Sequence, residues 1–213
     1  MKTKTPIEPP IDPESRVRAA AFRLLLAHSE PIGREALVRE TAIGPDQLDE
    51  LLDQLDHAGW IRRDDAGNVV GSAGLSIVPD RHEVELNGRR FWTWCAYDIL
   101  GIFGALGAGG RAFSPSPPSG QIIEVQFVRG RPEQSAAVLF RPDEDLMTCC
   151  ENVYEQWCPH SNLFVNSDLA QSWAKDHGLK GRILYLDEAS DLAAEDWKPL
   201  TNGMVTSIKG GVL

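Results

Sequence analysis

Positive charge is scarce in this chain: 21 lysines and arginines stand against 31 aspartates and glutamates over 213 residues, a formal net charge of −10. A chain this acidic is repelled by phosphate, which argues against nucleic acid or an anionic membrane surface as its main partner. Cysteine is sparse too, with four residues in all, too few for a disulfide-dense secreted scaffold. The sequence opens without the basic-then-apolar pattern of a secretory leader, and it contains no repeat. Together these point to a cytoplasmic protein whose thiols stay reduced and free to act as ligands. Long apolar runs are absent with one exception: residues 91–110 carry a single charge, Asp98, between Arg90 and Arg111, about the ~20 residues that span a bilayer. Five of those positions are glycine, and an interior aspartate is costly in lipid. The stretch therefore reads as a buried helix running into a glycine-rich loop, with Gly101, Gly104 and Gly107 allowing close packing on a sheet.

What is present divides the chain in two. Residues 1–10, rich in proline, lysine and threonine, read as a loose arm. Val17, Ala20, Ala21 and Leu24 fall at core spacing in a helix from Pro13 to His28. A short helix fits Arg34 to Thr41, and a third runs from Pro45, at a first-turn position, to His57 before Gly59. Strand-like residues 60–63 and 68–71 flank Asp64-Asp65-Ala66-Gly67 as a hairpin. Three helices and a hairpin make a winged-helix-like module over residues 1–80. Its third helix, which would enter a DNA groove, carries Asp46, Asp49, Glu50, Asp53 and Asp56 and no lysine or arginine. That favours a structural or lid role, with Arg62 and Arg63 on the wing as the only basic pair.

Beyond Gly74 the pattern changes, and residues 81–213 read as a catalytic α+β domain. Leu75–Val78 and His82–Leu86 read as strands, and Asn87-Gly88 is a tight-turn signal before residues 89–92. A proline- and serine-rich loop over residues 113–120 precedes strands at residues 121–128 and 135–140. Helices fit residues 143–156 and 169–177, with a last strand at residues 182–186. The fold class is α+β: the helical module followed by a mixed, mostly antiparallel sheet with helices.

Chemistry concentrates at Cys95 and Asp98, three residues apart in an aromatic stretch that includes Trp92, Trp94 and Tyr97. On a helix, that spacing points both side chains at one spot. Cys158, in Trp157-Cys158-Pro159-His160, offers a second thiol. Two thiols and a carboxyl suit a soft metal with a proton donor beside it. Each residue also has an ordinary reading: Cys95 as inert packing, Asp98 as a helix cap or partner of Arg90, His160 as a hydrogen-bonding residue, the aromatics as core. Cys149, Cys150, Cys158 and His160 together offer zinc ligands, although not at structural-zinc spacing.

The run Trp94-Cys95-Ala96-Tyr97-Asp98, the Cys158/His160 pair, Leu163-Phe164 ahead of Trp173, and Lys180-Gly181 resemble the organomercurial (alkylmercury) lyases. The resemblance covers residues 31–188, and most of its specificity lies in the Cys-x-x-Asp context. It implies Cys95 and Cys158 as mercury ligands, with Asp98 taking a proton from thiol and giving it to carbon. It further implies an organomercurial substrate, no organic cofactor, and release of mercury to small thiols or to a mercuric reductase. Two departures stand out. Cys149-Cys150 lies in an extra segment, leaving either residue as an alternative second ligand. Residues 114–119 lack the further, non-catalytic cysteine that many relatives carry there. From a different class, the competing expectation is a winged-helix regulator that senses mercury or zinc through its cysteines without turnover.

Overall fold

In the computed structural model of the chain, residues 12–201 are described. The arm expected at residues 1–10 lies outside them. The N-terminal helices are α1 (Pro13–His28), α2 (Arg34–Thr41) and α3 (Pro45–His57). Asp12 caps α1 by accepting from the Ser15 N–H at 2.8 Å, and Pro45 opens α3 where a missing N–H costs nothing. Leu48, Leu51, Leu52 and Leu55 turn one face of α3 into the core while its acids face out. There Asp49 binds Arg34, and Asp53 and Asp56 bind Arg63.

The remaining elements are β1 (Ile61–Arg63), β2 (Val69–Ser72), β3 (Leu75–Ser76), β4 (His82–Leu86), β5 (Arg89–Thr93), α4 (Ala96–Leu106), β6 (Gly110–Ser116), β7 (Gln121–Val128), β8 (Arg131–Pro132), β9 (Val138–Pro142), α5 (Glu144–Cys149), α6 (Val153–Gln156), a 3-10 turn at Cys158–His160, β10 (Asn162–Phe164), α7 (Ser167–Asp176), β11 (Gly181–Tyr185) and α8 (Leu186–Thr201). Among the described residues β1–β8 form one antiparallel sheet in the order β1-β2-β3-β5-β4-β6-β7-β8, and β10-β9-β11 form a second. The fold is mixed α+β with antiparallel sheets. The Asn87-Gly88 turn, both residues at positive φ, closes the β4–β5 hairpin in the register that pairs Leu86 with Arg89.

Several local expectations shift once tertiary contacts enter. Residues 113–116, expected as loop, extend β6, because Phe113 to Ser116 pair with Glu124 to Gln121 of β7. The helix expected over residues 143–156 breaks at Cys150, which is extended. The cause is docking: Asn152 donates to the His57 carbonyl at 2.8 Å and caps α6 through the Glu155 N–H, pinning α6 to the end of α3. The glycines of α4 pack on a helix and not on a sheet. A Cβ at Gly101 would strike the Trp197 ring, and one at Gly104 would meet the Ala194 Cβ, both residues of α8. Gly107 ends α4 in the left-handed conformation. No helix among the described residues is long and apolar enough to cross a membrane.

Candidate active site

Cys95 is the residue immediately before α4, and Asp98 is the third residue of that helix. Their spacing works as a capping box: the Asp98 Oδ2 accepts the Cys95 N–H at 2.8 Å, and the Asp98 N–H turns to the Cys95 sulfur. The ordinary reading of Asp98 as a cap and the chemical reading therefore hold at once. Arg90 is not its partner, being paired with Glu83 at 3.0 Å.

Cys158 reaches this spot through the backbone. The Ala96 N–H donates to the Ser161 carbonyl at 3.0 Å, and the Ser161 N–H donates to the Cys158 carbonyl at 3.2 Å, so the 3-10 turn is bonded to the first turn of α4. The Asn162 amide donates to the Pro159 carbonyl at 2.7 Å and fixes the turn's exit. As a result Cys95, Asp98 and Cys158 place one ligand atom each within 4.8 Å of the others, and all three are buried. Among the described residues theirs is the cluster with metal-holding geometry. Cys149 is exposed and Cys150 half-buried, their thiols donating to the Leu146 and Met147 carbonyls. His160 stands apart with its ring near Trp173, 6.3 Å between centroids, and burial pushes its pKa down.

Burial decides the electrostatics. It raises the Asp98 pKa from 3.8 to about 7 against the hydrogen bonds from the Cys95 thiol and N–H that favour the carboxylate, with the Asp80 charge adding to the rise. Burial also lifts the Cys95 thiol well above its ordinary value, followed by its contact with Cys158 and the Asp98 charge. The N-terminus of α4 favours an anionic sulfur, but desolvation of this fully buried residue outweighs it. The resting site thus holds a protonated Cys95 thiol beside a carboxyl whose pKa is pushed up to about 7.

A cavity of about 410 Å³ opens onto Asp98 and Cys158, walled by the rings of Trp60, Trp94, Tyr97, Trp157 and Trp197. Cys95 is wholly buried behind it. Trp94 and Tyr97 shape the pocket as expected. Trp92 does not line it, because it alternates away from Phe91 and Thr93 on β5. Rings meet edge to face, with Tyr97 5.7 Å from Trp197 and Trp94 5.6 Å from Tyr154. Arg81 donates to the carbonyls of both Trp94 and Tyr154, clamping the Cys95 segment to α6.

Sequence reasoning missed three contributors. The β2–β3 turn, Ala73-Gly74, has both residues at positive φ, and its backbone lies directly against Asp98, where a Gly74 Cβ would collide with the carboxyl. The Gly74 carbonyl accepts the Trp94 N–H at 3.1 Å, and the Ala73 carbonyl accepts the Trp197 indole N–H at 2.9 Å. Helix α8 supplies Trp197, and Asp196 accepts the Tyr97 hydroxyl at 2.8 Å. Arg18 and Arg141 also line the cavity. The Ala-Gly dipeptide between two strands was the available signal for the turn. α8 was not read from the sequence, although Leu186, Ala189, Ala193 and Leu200 fall at helical spacing.

Comparisons with known proteins point to one family. The family model for MerB, alkylmercury lyase, matches residues 75–197. The chain is 26% identical over 187 residues to the alkylmercury lyase of Streptomyces lividans, covering 85% of this chain and 80% of that one. It is 29% identical over 157 residues to that of Pseudomonas putida, covering 71% and 70%. With the alkylmercury lyase of Staphylococcus epidermidis it shares 25% identity over 173 residues, covering 79% and 76%. The crystal structure of the mercury-bound form of MerB2 matches with a TM-score of 0.77 at 24% identity, covering 89% of this chain and 92% of that one.

Proposed function

Because the chain belongs to the alkylmercury lyase family, we propose that Cys95 and Cys158 bind the mercury of its substrate and that Asp98 moves the proton which frees the carbon. The activity is cleavage of the carbon–mercury bond of an organomercurial, giving a hydrocarbon and Hg(II). Mercury is substrate and product, and no organic cofactor takes part.

The proton ledger closes on the site's own groups. The organomercurial R–Hg–X arrives with X a small thiolate. The Cys95 thiol passes its proton to the Asp98 carboxylate, which lies within 4.8 Å of its sulfur, and its sulfur bonds to mercury. The Cys158 thiol loses its proton to departing X, leaving as HX, and becomes the second sulfur ligand. Two thiolates raise the electron density on a soft metal and weaken its bond to carbon. Protonated Asp98 then gives its proton to that carbon, the Hg–C electron pair forms the new C–H bond, and RH leaves. Hg(II) stays on two sulfurs beside a regenerated carboxylate, its oxidation state unchanged. A pKa of about 7 suits a group that must take and give a proton in one cycle.

The observation that carries this reading is the convergence of two buried thiols and one carboxyl within 4.8 Å. Product mercury passes to small thiols or to a mercuric reductase in a reducing cytoplasm. Residues 1–80 act as a winged-helix-like wall and residues 81–213 as the catalytic unit. That division is supported by Arg18 and Trp60, which line the cavity from the N-terminal side, and by the wing arginines, which are occupied internally: Arg63 with α3 acids and Arg62 stacked 4.0 Å from the Tyr154 ring centroid. The decisive experiment incubates the protein with a phenylmercury salt and excess thiol and measures benzene. Release that does not exceed the thiol-only control overturns the assignment.

A further inference from the structure

The cavity holds more than the three reacting groups require. Its 410 Å³ is in the range of pockets that hold drug-sized ligands, far beyond what a methyl group on mercury would fill, and its walls are aromatic. Into this apolar space project two guanidiniums whose charge the protein does not fully answer. The Arg18 backbone is fixed by the Ser72 hydroxyl donating to its carbonyl at 2.9 Å, and its guanidinium lies 4.3 Å from the Trp60 ring centroid. Arg141, on β9, is 7% exposed and lies 5.0 Å from the Tyr97 ring centroid. The Nε of each is buried without a hydrogen-bond partner among the described residues.

The acids nearby are otherwise engaged. Asp196 accepts from Tyr97, Glu144 holds one terminal nitrogen of Arg141 at 3.2 Å, and Asp98 is capped by Cys95. The charges in the field of Arg18, those of Asp12, Glu14 and Asp98, offset its burial only in part, so its pKa is lowered. Arg18 and Arg141 both line the cavity, and the planar fork of a guanidinium suits a carboxylate. We propose that Arg18 and Arg141 receive a carboxylate carried by the incoming organomercurial, so that the cavity selects anionic over neutral mercurials. This rests on the lyase reading. The carboxylate can sit on the organic group or on the thiolate that accompanies mercury, and both present the same chemistry to the two arginines.

The test compares kcat/KM in three arms: phenylmercury with 2-mercaptoethanol, 4-carboxyphenylmercury with 2-mercaptoethanol, and phenylmercury with 3-mercaptopropionate. A charge-assisted contact in a buried site gives a preference of about tenfold or more for a carboxylate-bearing arm, and the arm that shows it identifies the source. R18M, which keeps the aliphatic stem over Trp60, brings the ratio toward one, while R18K retains part of it. A mercury-free measurement runs beside these: benzoate, titrated against the tryptophan fluorescence of the full chain, binds more tightly than benzamide, and R18M removes the difference. Should R18M fail to fold, the benzoate-to-benzamide comparison on the parent decides alone. Equal kcat/KM in all arms, or equal binding of benzoate and benzamide, overturns the subsite while leaving the lyase intact. Absence of hydrocarbon from every arm overturns the lyase reading instead, and benzoate binding still reports on the subsite.

Discussion

Replacing Asp98 by asparagine separates the carboxyl's chemistry from its place in the fold. The amide keeps the shape and an oxygen that accepts the Cys95 N–H, now at 2.8 Å from Oδ2, but it cannot carry a proton. Loss of a positioned general acid costs about 10²–10⁴ in rate. In a rapid-quench single turnover with phenylmercury, the variant should bind mercury and release benzene slower by that factor. A stability effect of opposite sign accompanies it. The folded-state pKa of Asp98 lies at about 7 against 3.8 for the free side chain. Holding the protonated form is thus a contribution fully present below pH 3.8 and lost as pH rises through 7. The shift corresponds to about 4 kcal/mol between those limits. Parent stability in urea should fall across this window, and Asp98→Asn should flatten the curve and gain on the parent above pH 7. Because the free carboxylate is the form that accepts the thiol proton, kcat/KM of the parent should climb with pH through about 7. Near-normal benzene release by the variant would remove Asp98 from the mechanism, and parallel stability curves for the two proteins would refute its raised pKa.

Three further outcomes follow from the site. Cys158→Ser should abolish turnover, whereas the double change of Cys149 and Cys150 to serine should keep most of it at saturating thiol, because neither sulfur joins the cluster; the reverse pattern would move the second ligand to the Cys149-Cys150 pair. Gly74→Ala places a Cβ against the Asp98 carboxyl at a φ of +83°, which should destabilise the fold by about 1–3 kcal/mol and slow benzene release; unfolding midpoints and turnover at parental level would show that the turn yields. The full chain should show no salt-sensitive affinity for duplex DNA in a fluorescence titration, since the acids of α3 face outward and Arg63 is held by Asp53 and Asp56; binding that weakens steeply with salt would restore the regulator reading.

The sequence by itself determined what depends on near neighbours. The bounds of α1, α2 and α3 were legible because proline at a first turn, helical apolar spacing and a following glycine are local signals. The Asn87-Gly88 turn and strands β4 and β7 were legible for the same reason. Cys95 and Asp98 could be paired on spacing alone, although that reading put both on a helix face and the structure places Cys95 at the cap just before α4. Tertiary structure decided the rest. The meeting of Cys158 with Cys95 depends on the bond from Ala96 to Ser161, which no periodicity encodes. The break at Cys150 comes from Asn152 docking on α3, against a segment whose own pattern favours one continuous helix. The α4 glycines announced a close approach but not that the partner would be α8. Above all, a carboxyl's pKa is set by what excludes water from it. Asp98 titrates near 7 because the Gly74 backbone, Cys95 and the surrounding core bury it together, and burial exists only once distant segments have packed.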